Sequence, residues 1–167
     1  MTAASWPSTR SARRAAPEWR CRAVASAREL ATHFSVRRAV FVTEQRLFAG
    51  DDRDERDDAP DTVHVVGSAK GRVGGVVRLY PLDDAGLWKG DRLAVLPRYR
   101  HGLLGAQLVR FAVATAGALG GQRMVAMIQV PNVAFFRTLG WRVAGGSEPY
   151  HGVEHRPMEI GLRPPAA

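Results

Sequence analysis

Arg98, Arg100, Gly102 and Gly105 crowd one turn of the chain, between the short apolar run Leu93-Ala94-Val95-Leu96 and an apolar-periodic segment starting at Leu103. The run is long enough for a strand and too short for a helix. Pro97 ends it by withholding an N–H and disfavouring the helical region for its predecessor. Leu104, Leu108, Phe111 or Ala112, Thr115 and Leu119 then recur at the spacing of one helical face. A strand therefore feeds a basic, glycine-containing turn that becomes a helix N-terminus. That geometry points unpaired N–H groups and the positive end of the helix dipole at one spot beside Arg98 and Arg100. Its chemistry is the holding of a phosphate or pyrophosphate. The turn is not a P-loop, since no G-x-x-x-x-G-K-[ST] occurs, and the dinucleotide fingerprint G-x-G-x-x-G is missing too. On spacing alone, Gly102 and Gly105 serve equally well as a turn residue and a helix-packing residue.

Carboxylates form the second group. Glu44 directly follows the apolar run Val40-Phe41-Val42 and is placed to face a cleft, whereas Phe41 reads equally as core. Seven of the sixteen acids lie between Asp51 and Asp61, against only Arg53 and Arg56. Their spacing is not that of a calcium loop, with no glycine at the sixth position and no Glu at the twelfth counting from Asp52, and no metal site is expected. A solvated charged loop is one expectation; a collar that draws in a cationic acceptor such as an amine, using Asp54 and Asp57, is the other.

The remaining elements must position these groups. Trp19 to Val24 alternates as a first strand, and Ala27 to Val42 follows as a helix. Thr62–Gly67 and Arg72–Tyr80 form two strands joined at Ala69-Lys70-Gly71, with Gly74 and Gly75 marking a bulge or a close backbone approach. Pro81 to Asp91 is expected to be a loop holding Trp88. Gly120-Gly121 closes the helix that starts near Leu103, and Arg123–Val130 is a buried strand, parallel to Leu93–Leu96 if that helix is its crossover. Asn132 caps a short helix after Pro131, Gly140 ends it, and Trp141-Arg142-Val143 starts another strand. Glu148 to Ile160 supplies a loop and a final strand.

Composition sets outer limits. At 167 residues and 46% hydrophobic content the chain makes one soluble domain, with residues 1–17 expected to be a disordered leader and 18–167 the folded part. The single Cys21 excludes an internal disulfide and fits a reducing cytoplasm, and no apolar run is long enough for a membrane span. The net charge of +8 favours polyanionic ligands, nucleic acid or a coenzyme with several phosphates, but nothing like a nucleic-acid recognition helix is apparent.

Pro97-x-Tyr99-Arg100-x-x-x-x-Gly105-Ala106 resembles the acyl-CoA pyrophosphate loop of the GNAT N-acetyltransferase superfamily, with Leu103 where the first glycine of that loop is usual. Further segments occur in the same order: Arg37-x-x-Val40-Phe41-Val42-x-Glu44-Gln45, Gly75-x-x-Arg78-Leu79, Arg92-Leu93-Ala94-Val95, Phe136-x-x-Leu139-Gly140-Trp141 and Gly152-x-x-His155-x-x-Met158. Together they look like a small bacterial branch that opens with V-F-V-x-E-Q, some relatives of which are linked to nitrogen starvation. The first half also looks like acyl-homoserine-lactone synthases, which share R-x-x-V-F, an acidic loop and a G-x-x-R-L strand but generally lack the coenzyme-A loop.

The resemblance implies a single α/β domain with a mixed, splayed central sheet flanked by helices. It implies acetyl-CoA as cosubstrate and an amine of unknown identity as acceptor, with a homodimer allowed and no metal. Leu93, Ala94 and Val95, the turn Arg100-His101-Gly102-Leu103-Leu104-Gly105-Ala106, Asn132 and Phe136 are then expected to hold the coenzyme. Phe41, Asp54, Asp57 and Arg78 are expected to face the acceptor. An amine near pKa 10 must lose a proton before attacking a thioester, and Glu44, Glu148 and His155 are the candidate bases. Many GNAT proteins use a Tyr to protonate the leaving thiolate; Phe136 occupies the matching place and cannot. A catalytically silent acyl-CoA sensor is therefore the alternative to an enzyme.

Overall fold

The computed structural model describes residues 18–163, so the expected leader at residues 1–17 lies outside the described residues. Eight strands form one sheet: β1 (Arg20–Ala23), β2 (Val63–Ala69), β3 (Arg72–Pro81), β4 (Leu87–Val95), β5 (Arg123–Gln129), β6 (Arg142–Val143), β7 (Glu148–Tyr150) and β8 (Val153–Gly161). They lie in the order β1-β2-β3-β4-β5-β8-β6, with β7 hairpinned onto β8. Every neighbouring pair is antiparallel except β4 and β5. That parallel pair needs a crossover, and helix α2 (Leu104–Ala118) provides it, as its apolar periodicity predicts.

Two helices cover opposite faces of the sheet. The face of α2 carrying Leu104, Leu108, Val109, Ala112 and Ala116 packs with Val65, Val77, Leu79, Met124, Ala126 and Ile128 in the larger core. Helix α1 (Ala27–Arg37) starts at Ser26, whose Oγ accepts from Glu29 N–H while the Glu29 carboxylate accepts from Ala25 N–H. It continues as a π-helical stretch, Arg38–Glu44, in which Gln45 N–H donates to Val40 C=O. The wider turn carries Val40 and Phe41 into a second core with Val36, Val66, Val76 and Ala94. Such turns concentrate at functional sites.

The glycine pair of β3 serves close approach. A Cβ on Gly74 would fall 2.6 Å from the Trp19 ring, and one on Gly75 would fall 2.8 Å from Leu108 Cδ1. The β2–β3 hairpin turns through Lys70 and Gly71 at φ of 50° and 75°, both positive as a two-residue hairpin turn requires.

One expected loop is a strand. Pro81 to Asp91 contains only a short turn before β4 begins at Leu87, and Trp88 pairs with Pro81 and lies buried in the core. The strand LWKGDRLAV carries three charges, which hide its alternation; Asp91 and Arg92 sit there because the folded protein pairs both.

β4 and β5 are joined only at Leu87↔Arg123, Trp88↔Met124 and Lys89↔Val125. Beyond Lys89 the two strands part: β4 stays with β3 up to Val95, and β5 stays with β8 up to Gln129. The sheet therefore opens as a V at its centre.

Candidate active site

The V between β4 and β5 holds a cavity of about 140 Å³. Its walls are β4 residues from Lys89 to Leu93, β5 residues Met124 and Ala126 to Gln129, and the α2 side chains Val109 and Ala112. Phe41, Gln45, Leu47 and Phe48 close one side, and Asn132, Phe136, Trp141, Tyr150 and His155 the other. Gln129 Nε2 donates to Gln45 Oε1 at 3.0 Å, so the end of the π-helical stretch is tied to the far wall.

Strand pairing directs backbone donors into this opening. Leu96 N–H donates to Gly74 C=O, and by antiparallel alternation the amide of Val95 points away from β3, toward the space β5 has left. Register also shifts between Val76 and Arg78, opposite Arg92 at φ 52°. Bulges of this kind re-aim side chains beside active sites.

At the mouth, α2 starts without a side-chain cap, its N-cap Leu103 making no such bond. The amides of Leu104, Gly105 and Ala106 therefore lack intrahelical acceptors. Leu103 sits at φ −86°, ψ −3° and is 67% exposed, so the place where a glycine is usual needs no glycine conformation here. A Cβ on Gly105 would come no closer than 3.7 Å to any neighbour. His101 and Gly102 lie exposed on the turn. Arg100 does not project freely: its Nε donates to Val95 C=O at 2.9 Å and its terminal nitrogens to the Glu44 carboxylate. Two residues proposed for different jobs are thus partners.

The three base candidates separate. Glu44 is engaged by Arg100. Glu148 lies exposed on β7, among the described residues away from the cavity walls. His155 is buried and lines the cavity; its Nδ1 sits 2.6 Å from Val153 C=O. A carbonyl only accepts, so Nδ1 carries the proton and Nε2 of the neutral ring keeps its lone pair. The Tyr150 ring lies 5.2 Å from it, edge-on.

The acidic loop is solvated only in part: Asp51, Glu55, Asp58 and Asp61 are exposed, while Asp52, Asp54 and Asp57 turn inward. Asp52 and Asp57 are buried at 2% and 6% exposure. Arg37 donates through Nε to Asp52 at 2.8 Å and through Nη1 and Nη2 to both Asp57 oxygens at 2.6 and 3.0 Å. Arg78, fully buried, donates to both oxygens of Asp91 and both of Asp54. Arg92 donates to the Asp52 carbonyl from Nε and Nη2. Burial works against the charge of Asp57, yet the hydrogen bonds and charge of Arg37 hold its carboxyl well below the usual range. Burial likewise disfavours the Arg78 charge, but Asp91 and Asp54 outweigh it and raise its pKa. Arg78 and Asp57, expected to meet the acceptor, are instead spent on each other and their neighbours; Asp54 alone retains an open side, at 33% side-chain exposure. The cluster pins the loop onto the sheet and sets Arg92 4.6 Å from the Phe48 ring, which walls the cavity.

Phe41 is both core and cavity wall, and so is Phe136, which meets Trp141 edge-on at 5.4 Å. Asn132 also lines the cavity; it sits at the N-cap of α3 (Val133–Thr138), but its side chain makes no capping bond. Gln45, Phe48 and Gln129 enter the site without having been expected there. Among the described residues no group of three His, Cys, Asp or Glu is placed to hold a metal, and no helix is long and apolar enough to cross a membrane.

Comparison with known proteins agrees with this geometry. The family model described as acetyltransferase (GNAT) family matches residues 28–141. No curated protein matches the chain. Among solved structures, an acyl-CoA N-acyltransferase from Pseudomonas aeruginosa is similar over 86% of this chain and 99% of its own, at 24% identity and TM-score 0.74. Escherichia coli ElaA is similar over the same shares, at 22% identity and TM-score 0.75. BjaI, a CoA-dependent acyl-homoserine-lactone synthase solved with isopentyl-CoA, is similar over 82% of this chain and 78% of its own, at 21% identity and TM-score 0.70.

Proposed function

The chain belongs to the acetyltransferase (GNAT) family, and we propose that it moves an acyl group, acetyl in the simplest case, from acyl-CoA to the amine of a small molecule by direct attack on the thioester. The supporting observation is continuity: the V between β4 and β5 opens beside the uncapped start of α2, so one ligand with a pyrophosphate and a thioester arm spans both. The V-F-V-x-E-Q opening supports placement in the small bacterial branch of the family.

Each group then has a task. The amides of Leu104, Gly105 and Ala106 and the dipole of α2 bind pyrophosphate, with Arg98 beside them. The Val95 N–H donates to the thioester oxygen as negative charge gathers there. His155 takes the proton of the attacking amine at Nε2, while Val153 C=O fixes its tautomer through Nδ1–H. The new C–N bond forms, the C–S bond breaks and CoA leaves as thiolate. A free thiol has a pKa of about 8.5, so departure needs no strong acid. The half-buried Tyr150 is the hydroxyl at hand for its protonation.

The test is release of CoA from acetyl-CoA in the presence of a panel of amines and amino-acid derivatives, read with a thiol reagent, for the wild type and His155→Asn. Asn keeps a donor for Val153 C=O and lacks the base. Turnover should fall by roughly 10²–10⁴-fold, with CoA affinity unchanged. CoA binding without turnover on any amine would favour the silent sensor, to which the missing hydroxyl at Phe136 also points.

A further inference from the structure

We infer that the acceptor amine of this protein carries a carboxylate at its far end, an amino acid in the wide sense rather than a polyamine. The inference rests on the acyltransferase reading of the cleft and adds the class of acceptor. It reverses the expectation of a collar that draws in cations, and the charges on the cleft wall are the reason. Among the described residues, the ionisable side chains lining the cleft are Lys89, Asp91, Arg92, Tyr150 and His155. A second cation on the acceptor would need a free carboxylate there. Asp91 supplies the carboxylate of the wall, and its two oxygens accept from Nε and Nη2 of the fully buried Arg78, each at 2.7 Å. The Tyr80 hydroxyl donates to Asp91 as well, at 3.2 Å. Asp54, which keeps an open side, does not line the cleft.

The cations of the wall divide. Arg92 donates to the Asp52 carbonyl and to the Asp54 carboxylate. Lys89 forms no ion pair among the described residues, because the carboxylates around it are taken: Asp91, two residues along β4, by Arg78, and Glu159, across β5, by Arg123 and Arg142. Register puts Lys89 on the same face of the sheet as the base. It pairs with Val125, and alternation along β5 sets Val125, Met127 and Gln129 on one face, where Gln129 lies opposite His155. Val125 and Gln129 are four residues apart, about 13 Å at about 3.3 Å per residue, and the four-carbon stem of Lys89 covers part of that distance. An acceptor with its amine at His155 Nε2 and a carboxylate several bonds away meets both. Phe41, Leu47, Phe48 and Met127 line the cleft as well, and apolar walls strengthen a charge pair that water would weaken.

Acetyl-CoA turnover by the full chain in matched trios tests the inference: an ω-amino acid, the alkylamine and the diamine of one chain length, from about two to about six carbons. The carboxylate member should have the highest kcat/KM of its trio, by about tenfold or more at the best length, the worth of a charge-assisted hydrogen bond. Lys89→Gln should bring that ratio close to one, and Lys89→Arg, which keeps the charge, should retain it; if a variant fails to fold, the wild-type ratios decide. Higher kcat/KM for diamines, or a carboxylate preference that survives Lys89→Gln, would overturn the inference. CoA binding without turnover of any trio member would overturn it too. Absence of CoA binding would overturn the acyl-CoA reading on which it rests.

Discussion

Glu44 and Arg100 meet as a bidentate ion pair beside Val95, Nη1 to Oε2 at 3.0 Å and Nη2 to Oε1 at 2.5 Å, 56 residues apart in sequence. Both side chains are more than a third exposed, so the pair adds little to stability. Its position is the informative part. Arg100 is the cation of the turn expected to hold pyrophosphate, and in this structure a carboxylate occupies it. A pyrophosphate approaching α2 competes with Glu44 for the same fork of donors.

Glu44→Gln should therefore bind CoA several-fold more tightly, because a rival anion is gone. Arg100→Ala should weaken CoA binding by about tenfold or more, the worth of a charge-assisted hydrogen bond. Thermal shift reads both: CoA at about 100 times its Kd adds roughly 2.7 kcal/mol to the wild type. Equal CoA affinity in the wild type and both variants would show that the pair stands clear of the ligand.

Removing one member of the buried charge cluster should be far costlier. Arg78→Met leaves Asp91, Asp54 and Asp57 facing one another with less positive charge among them, and loss of one partner of a buried pair costs about 3–5 kcal/mol. Asp54→Asn, at a part-exposed carboxylate, should cost clearly less. Urea denaturation of the two variants checks the ranking; similar small losses would mean that the acidic loop is not held by this cluster.

This cluster also marks where sequence reasoning stopped. The α2 crossover, the parallel β4–β5 pair, the close-approach glycines of β3 and the helix start after the basic turn all follow from local signals: apolar period, Pro97 and Gly74-Gly75. Pairing between distant charges leaves no such signal. Asp57 and Arg78 read as acceptor contacts and Asp52 as part of a charged loop, and only the fold brings them together with Arg37 and Arg92. The same blindness turned the first half of β4 into a loop, since Lys89, Asp91 and Arg92 mask its alternation. The order of the base candidates was hidden too, because it depends on what each touches: Arg100 for Glu44, solvent for Glu148, Val153 C=O for His155.

His33 gives the fold a pH dependence of definite sign. It is fully buried on α1, 3.1 Å from Val65 C=O through Nδ1 and 3.4 Å from His64 through Nε2, with Arg37 and Asp57 nearby. Burial, then the charges of His64 and Arg37, lower its pKa from 6.5 to about 3. Below pH 6.5 the unfolded chain takes up a proton that the folded protein refuses. Stability is thus fully present above pH 6.5 and declines as pH falls toward about 3, with a slope approaching 1.4 kcal/mol per pH unit. Asp57, with its depressed pKa, adds an acid-side loss below its ordinary value of 3.8. His33→Gln keeps a donor for Val65 C=O and does not titrate, so chemical denaturation across pH 4–6.5 should show a flatter profile. An identical slope would place the responsible group elsewhere.

Phe136 poses the question of the missing acid. Its ring is 6% exposed, packs edge-on against Trp141 and Phe135, and forms part of the cavity wall. A hydroxyl added there enters an apolar setting, and an unpaired buried hydroxyl costs about 1–3 kcal/mol. Tyr150 lines the same cavity beside His155 and already carries a hydroxyl. Phe136→Tyr should therefore melt several degrees lower and turn over no faster, whereas Tyr150→Phe should fold normally and lose turnover with CoA affinity intact. A rise in kcat for Phe136→Tyr, with no change for Tyr150→Phe, would show that the thiolate does wait for an acid and that Phe136 marks its empty place.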